Sequence, residues 1–371
     1  MHPMGLRYQP LAACMKFARA STKLVRGPSG LLETRAIDEP AYDHDELGRR
    51  LGLLIEGPAT NLLRYSNAFD NALWEKDSGV SVASSPIAAP DGSETAKQLD
   101  LPGSSAGADG LYQTVGGLVA NDTYSFAIWM RAVSGTADIT LGGIDGASTH
   151  GVTLGENWQR VWIAEPASGT TRYPKISTAI SALPASILIW NAQLEVGPAP
   201  TSDIISNGIP AARTCDDVRL DPGDWFAQGR GTFVFDIHTA PDWVGIWRIV
   251  QLYSMSLNDD HLDLGYDSAA DQLRISLRAA GEQLVTQSLY GSLAKDTRHR
   301  IVLAWDDDGV SVGLDGVVLS SPDGFAMPRN FTNIVLGSFG GTDKALNGHV
   351  RNLAYWPEKL SNARLIELSE E

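Results

Sequence analysis

The sequence predicts an all-β protein: two consecutive antiparallel β-sandwiches of jelly-roll type, behind an N-terminal attachment segment. Three observations predict it. Short runs alternate apolar and polar residues with a period of two, as half-buried strands do. The 37 glycines and 19 prolines break those runs into pieces joined by tight turns. The length, 371 residues, gives room for two or three domains of roughly 150 residues each.

Composition narrows the class. Apolar residues make up 43% and charged residues 20%, the balance of a folding chain. The formal net charge of −15 argues against nucleic acid or an anionic membrane as the main partner, because both need a basic face. Cys14 and Cys215 are too far apart to form a disulfide framework. Two reduced thiols suit a chain made and folded in a reducing cytoplasm. The opening "MHPMGLRYQPLAACMKFARAS" lacks an apolar core of secretory length. No apolar run approaches the ~20 residues of a membrane helix, so no membrane insertion is expected.

Residues 1–55 show no clear periodicity. Gly and Pro punctuate short apolar pieces, and Asp43, Asp45 and Glu46 crowd around His44. This spacing matches no metal-ligand pattern, and the segment reads as a tether that orders against a partner.

Residues 56–206 form the first predicted sandwich. In "NLLRYSNAFDNALWEKDSGVSVASSPIAAPDGSETAKQL", Trp74 is a core anchor, a Ser/Val alternation is a strand, and Ala89 to Gly92 turn the chain into the next strand. "TYSFAIWM" sets Tyr124, Phe126, Ile128 and Met130 against Ser125, Ala127 and Trp129. "NWQRVWIA" and "ASILIWNAQLE" follow, the latter with Ile187, Ile189 and Asn191 opposite Leu188 and Trp190. "VGPAPTSDIISNGIPAART", rich in Pro, Gly and Ser, marks a domain boundary.

Residues 207–371 form the second. "GTFVFDIH" puts Phe233, Phe235 and Ile237 on one face. "HRIVLAWDDDGVSVGLDG" reads as a hairpin: Ile301, Leu303 and Trp305 point inward, Asp307-Asp308-Gly309 turn, and Val310, Val312 and Leu314 return. "NGHVRNLAYW" is a late strand that Pro357 stops, and Ser361 caps a last short helix. No internal repeat is evident.

"FARASTKLVRGPSGLL", "GLLIEGPATNLLRYSNAFDNALW…APDGSETAKQL", "NAQLEVGPAPTSDIISNGIPAART" and "LNGHVRNLAYWPEKLSNARLIEL" stand in an order that resembles bacteriophage virion spike and fibre proteins. That family includes head-spike and tail-fibre subunits and the related head spikes of gene transfer agents. The resemblance implies a particle-proximal segment over 1–55. It implies a carbohydrate-binding-module-like jelly roll over 56–206 and a concanavalin A-like or laminin-G-like sandwich over 207–371. It further implies a subunit on the particle surface, assembled as a trimer or other cyclic homo-oligomer. Its partners would be other spike, fibre, capsid or tail subunits and a host capsular or surface polysaccharide. The glycan-contacting loops of the family vary, so it supplies no site residue by residue.

Other chemistries find less support. Glycoside hydrolysis needs two carboxylates flanking a cleft. The nearest candidate is "LNDDHLDLGYD", where Asp259, Asp260, Asp263 and Asp267 surround His261, and a solvated turn explains it better. The chain is therefore expected to bind without cleaving; the alternatives are a glycan-degrading hydrolase of the lectin-like sandwich type and a purely structural spike component that binds no glycan. "WDDDGV" and "LNDDHLD" offer oxygen ligands, which keeps a structural calcium as an alternative to a plain hairpin tip. No other cofactor is expected: the seven His are scattered, and neither a Gly-x-Ser-x-Gly elbow nor a phosphate-cradling loop occurs.

Glycan binding usually needs an aromatic face beside hydroxyl-bonding side chains. Of ten Trp, Trp74, Trp129, Trp158, Trp190, Trp305 and Trp356 sit in or at the start of alternating runs and read as core. Trp243 and Trp247, in "APDWVGIWRIVQ", are less committed to a core. Trp243, in a loop setting between Pro and Gly, is the first choice for a sugar platform, and Trp162 is a weaker one. Arg248, Asp259, Asp260 and His261 are the polar partners proposed beside them.

Overall fold

The computed structural model describes residues 15–103, 109–145, 148–179, 183–242, 244–256, 259–289, 291–320, 324, 326–341 and 344–370. Among them it holds thirty strands and one helix, Asn362–Glu370, and every strand pairing is antiparallel. No helix of the described residues is long and apolar enough to cross a membrane. The chain divides into two compact units that interleave in sequence. The middle unit comprises Thr22–Thr34 and Ala59–Arg213. The C-terminal unit comprises the described parts of Met1–Ser21, Arg35–Pro58 and Thr214–Glu371.

The middle unit layers two five-stranded sheets. The first runs Gln159–Pro166, Thr123–Ala132, Ala185–Val196, Lys97–Leu101, Ser81–Ser84. The second runs Thr149–Leu154, Ala137–Gly142, Lys175–Ser177, Gly110–Gln113, Trp74–Lys76. Phe126, Ile128 and Met130 of the first sheet share a core with Leu111, Ile139, Leu141 and Ile176 of the second. The two-residue alternation thus selects the buried face, as the sequence predicts.

The opposite face of the first sheet is buried too. Leu24 and Leu32, from the hairpin Lys23–Arg26 and Leu32–Arg35, cluster there with Trp129 and Trp190. Arg26 stacks its guanidinium 5.4 Å from the Trp129 ring. One expected face assignment fails. The register between Thr123–Ala132 and Ala185–Val196 shifts between Ala127 and Trp129, and Asn191 takes a positive φ of 43°. That bulge changes the phase, so Ile187 and Ile189 point into the core and are followed by Ala192 and Leu194. Asn191 instead donates to Asp203 Oδ1 at 2.8 Å.

The C-terminal unit layers two seven-stranded sheets. One runs Met15–Ala18, Asp217–Leu220, Asn333–Leu336, Ile246–Tyr253, His261–Asp267, Gln272–Ala279, Glu282–Leu289. The other runs Val317–Ser320, Gly309–Leu314, Arg298–Asp306, Gly231–His238, Gly348–Trp356, Arg50–Ile55, Tyr42–His44. Phe233, Phe235, Ile301, Leu303 and Trp305 meet Leu252, Leu262, Leu264, Tyr266 and Ile275 between them. The helix lays Leu365 and Leu368 on Val234, Val302 and Ala304, on the far side of the second sheet. Its first turn is closed by Leu365 N donating to Ser361 O at 3.0 Å.

The division of the chain differs from the expected 1–55, 56–206 and 207–371. Met15–Ala18 pairs with Asp217–Leu220, and Gly348 lies opposite Ile55. Residues 15–55 are therefore shared out as strands of both units rather than set apart. The acidic knot is part of this framework: His349 Nε2 lies 2.9 Å from Asp43 Oδ2, and Arg49 pairs with Asp45 at 2.6 Å. These strands are short, and the partners that tie Met15–Ala18 and Arg50–Ile55 into the C-terminal unit lie about 200 to 300 residues away in sequence, so local periodicity cannot reveal them.

Candidate functional site

The expected glycan-binding residues are placed mostly inside the C-terminal unit. Trp243 lies outside the described residues, as does Cys14. Trp247 is 3% exposed and packs in the core, its ring 5.3 Å from Tyr266. It presents no face to a sugar, because the alternation of "IWRIVQLY" puts it in phase with the buried side. Arg248 points the other way yet is only 8% exposed, with its Nε 3.5 Å from Asp263 Oδ2 and its guanidinium 5.5 Å from the Phe339 ring. A backbone bond from Arg248 N to Lys344 O (2.9 Å) and one from Gly340 N to the Gln251 side-chain Oε1 (3.1 Å) hold the segment that carries Phe339 against this part of the sheet.

Burial pushes the Asp263 carboxyl above the usual carboxylate range, and the charges of Arg248 and His261 oppose it. His261 is buried as well, its ring nitrogens 3.0 Å from Asp259 O and 3.1 Å from Ser276 Oγ. Asp259 closes its own turn by accepting from Ser256 N at 2.9 Å, and Asp260 accepts from Gly281 N and Asn330 Nδ2, each at 3.4 Å. Arg248 and His261 thus share one sheet face with Asp263, as a supporting network beneath a loop rather than a ligand surface. Trp162 is half-buried on an edge strand, opposite Ala127. The acids of "WDDDGV" meet cations of the chain itself: Asp306 with Lys359 at 2.8 Å, Asp307 with Arg329 at 2.5 Å. Among the described residues, no group of three or more His, Cys, Asp or Glu is placed to hold a metal.

An exposed site forms elsewhere, on the outer face of the middle unit's second sheet. Leu111 and Trp74 point into the core, so Tyr112 and Glu75, their neighbours in sequence, point outward. Register sets Tyr112 opposite Glu75 on one side and opposite Lys175 on the other, giving a row across three strands. Tyr173, 48% exposed, stands edge-on to Tyr112 with ring centroids 6.1 Å apart at 87°. Gly143 makes room for it. At a φ of 91°, a Cβ there would collide with the Tyr173 carbonyl oxygen.

The polar groups around the tyrosines are held in place. Glu75 accepts from the Tyr112 hydroxyl at 3.3 Å and from Thr114 Oγ1 at 2.6 Å. Lys175 Nζ lies 5.4 Å from the Tyr112 centroid and 2.6 Å from Asp77 Oδ2, which also accepts from Gly110 N at 3.0 Å. Desolvation, then the nearby charges of Glu75 and Asp77, push the Tyr112 hydroxyl's pKa up, so it stays a donor at neutral pH. A pocket of about 210 Å³ adjoins the row, lined in part by Arg64, Leu73, Thr114 and Pro210. Its floor is fixed by Gln113, which bonds Arg64 N and O at 2.8 Å each.

This arrangement supplies an amphipathic aromatic pair beside fixed acceptors and donors, the equipment for a ligand with one apolar face and several hydroxyls. Sequence reasoning missed it because the search for platforms weighed only tryptophans. The available signals were Tyr112, in alternation with Leu111, and the Tyr173-Pro174 turn.

No family model and no curated protein matches the chain. Among solved structures, it is similar to the CBM40 module of Ruminococcus gnavus IT-sialidase bound to α2,3-sialyllactose, at 18% identity over 39% of this chain and 84% of that one, with a TM-score of 0.33. It is also similar to the Trypanosoma rangeli sialidase in complex with an inhibitor, at 20% identity over 42% of this chain and 26% of that one, TM-score 0.34. A heptameric SAP-like pentraxin from Limulus polyphemus shares 16% identity over 38% of this chain and 69% of that one, TM-score 0.30.

Proposed function

We propose that the protein is a spike or fibre subunit on the surface of a phage or gene-transfer-agent particle, and that it holds host surface polysaccharide through the Tyr112–Tyr173 platform. The observation that carries the binding half is the tyrosine pair, Tyr173 exposed and Tyr112 half-buried, with Glu75 beside it and bonded to both Tyr112 and Thr114. The particle half is supported by the ordered spike-like motifs of the sequence alone. In this reading the two sandwiches are jelly-roll and lectin-like modules, and residues 1–55 contribute to docking on other particle subunits. A platform this open binds weakly, and several copies in a cyclic homo-oligomer on one particle turn weak contacts into firm attachment.

Binding is proposed without cleavage. Glu75 and Asp77 are the two acids beside the tyrosine pair, but Asp77 Oδ2 is already engaged by both Lys175 and Gly110 N. That leaves it poorly placed to donate a proton to a leaving group.

The test measures retention of the full-length protein on immobilised host polysaccharide, with and without Tyr173→Ala, alongside a reducing-end assay on the same material. Retention lost with Tyr173→Ala, and no new reducing ends, supports the proposal. Retention that ignores Tyr173 refutes the site, and released ends above background refute the non-catalytic reading. Electron microscopy of particles lacking the chain tests the location: density that does not change sinks the particle role.

A further inference from the structure

Resting on the glycan-binding reading, we infer that the platform selects uncharged, hydroxyl-rich sugars over acidic ones, and that Glu75 is the selecting group. An ionised carboxylate only accepts, and its two oxygens offer about four lone-pair sites. In Glu75 two of these are taken by Tyr112 and Thr114, one on each oxygen. Those two bonds fix the carboxylate beside the tyrosine pair while leaving both oxygens room for a further donor. A sugar ring with adjacent hydroxyls supplies two such donors at once.

A carboxylate, sulfate or phosphate on the ligand supplies none and brings a like charge. No lysine or arginine of the described residues lies within ion-pair distance of Glu75. The nearest cation across the row, Lys175, is already paired with Asp77 at 2.6 Å. Glu75 is exposed and its charge is not cancelled. Arg64, at the border of the adjoining pocket, is the group an acidic sugar would have to reach instead.

The experiment uses the full chain on an array of matched glycans, each neutral oligosaccharide printed beside its sialylated, uronic or sulfated counterpart, with lactose and 3′-sialyllactose as one pair. The neutral member is expected to bind about fivefold tighter at low salt, the worth of one like-charge contact near 4 Å in water, with the gap closing as salt rises. Glu75→Gln removes the charge and keeps one acceptor. It is expected to weaken the neutral ligand and bring the ratio within each pair close to one, with an unchanged melting curve as the folding control. Tighter binding of the acidic members, or a ratio untouched by Glu75→Gln, would each overturn the inference. Loss of all glycan binding in the wild-type protein would instead overturn the glycan reading itself.

Discussion

Replacing Arg248 by Met separates two roles that a sequence alone leaves open, a ligand contact and a buried support. The structure favours the support. Arg248 is 8% exposed and Asp263 3%, and their charged groups approach to 3.5 Å. Removing one member of a buried pair costs about 3–5 kcal/mol, because the other charge stays buried without compensation. Two features place Arg248→Met at the lower end. The separation exceeds the ~2.8 Å of a strong charge-assisted bond. Asp263 also has an escape, since burial already favours its neutral form. Loss of the guanidinium over Phe339 adds about 0.5–1 kcal/mol to that cost. The expected net loss is about 3–4 kcal/mol at neutral pH.

The pH dependence carries a sign. Asp263 has a folded pKa above its unfolded value, so between the two the native state binds more protons and stability falls as pH rises. Without Arg248 the folded value moves higher still, and the window widens upward from the ordinary value of about 3.9. The deficit of Arg248→Met should therefore shrink between about pH 7 and about pH 5. Adding Asp263→Asn should recover most of it at neutral pH. Urea unfolding at the two pH values measures all of this. A loss under about 1 kcal/mol, no rescue by Asp263→Asn, or weakened glycan retention with unchanged stability would refute the buried-support reading.

Three further outcomes are expected. Tyr173→Ala, at a side chain 48% exposed, should leave the unfolding midpoint within about 0.5 kcal/mol of wild type while weakening glycan binding roughly tenfold, read by titration calorimetry. Gly143→Ala forces a side chain into a positive φ and against the Tyr173 carbonyl, so it should cost about 1–3 kcal/mol in urea unfolding and weaken the same binding. Burial raises the Asp236 carboxyl, but hydrogen bonds from Arg298 and Asn352 and the charges of Arg298 and Arg300 outweigh it and hold its pKa below the usual range. Its stabilisation is present above about pH 4 and lost as pH falls through the folded value. Because Arg298 is partly exposed and screened, Asp236→Asn should cost only about 1–2 kcal/mol at neutral pH, and it should flatten the acid limb of a melting-temperature profile.

The layering of both units was legible in the sequence because the long strands carry their own signal. Thr123–Ala132 and Gly231–His238 alternate over enough residues to fix which face is buried. The fate of residues 15–55 was not, because their strands are only three to six residues long, and the two that anchor them to a sheet, Met15–Ala18 and Arg50–Ile55, pair with distant segments. The bulge at Asn191 was hidden for a related reason: one extra residue in a pairing reverses the phase of everything after it, and nothing in "LIWNAQLE" shows where the partner strand slips.

The site was misplaced by the same physics that made the fold readable. A tryptophan in an alternating strand offers the largest apolar surface in the sequence, and folding claims it first, as with Trp74, Trp190, Trp247 and Trp305, all nearly fully buried. An aromatic left to meet a ligand has to tolerate water, and a tyrosine does so because its hydroxyl keeps a partner there. Tyr112 keeps Glu75. The charged candidates failed for the complementary reason: Arg248 and His261 lie on the face away from the core, but the chain beyond Leu336 covers Arg248, and bonds to Asp259 and Ser276 occupy His261. Alternation reports which side of a strand faces the core. Whether the other side meets solvent depends on what the rest of the chain lays over it, and among the described residues Tyr112 and Tyr173 make an aromatic pair that the middle unit leaves at its surface.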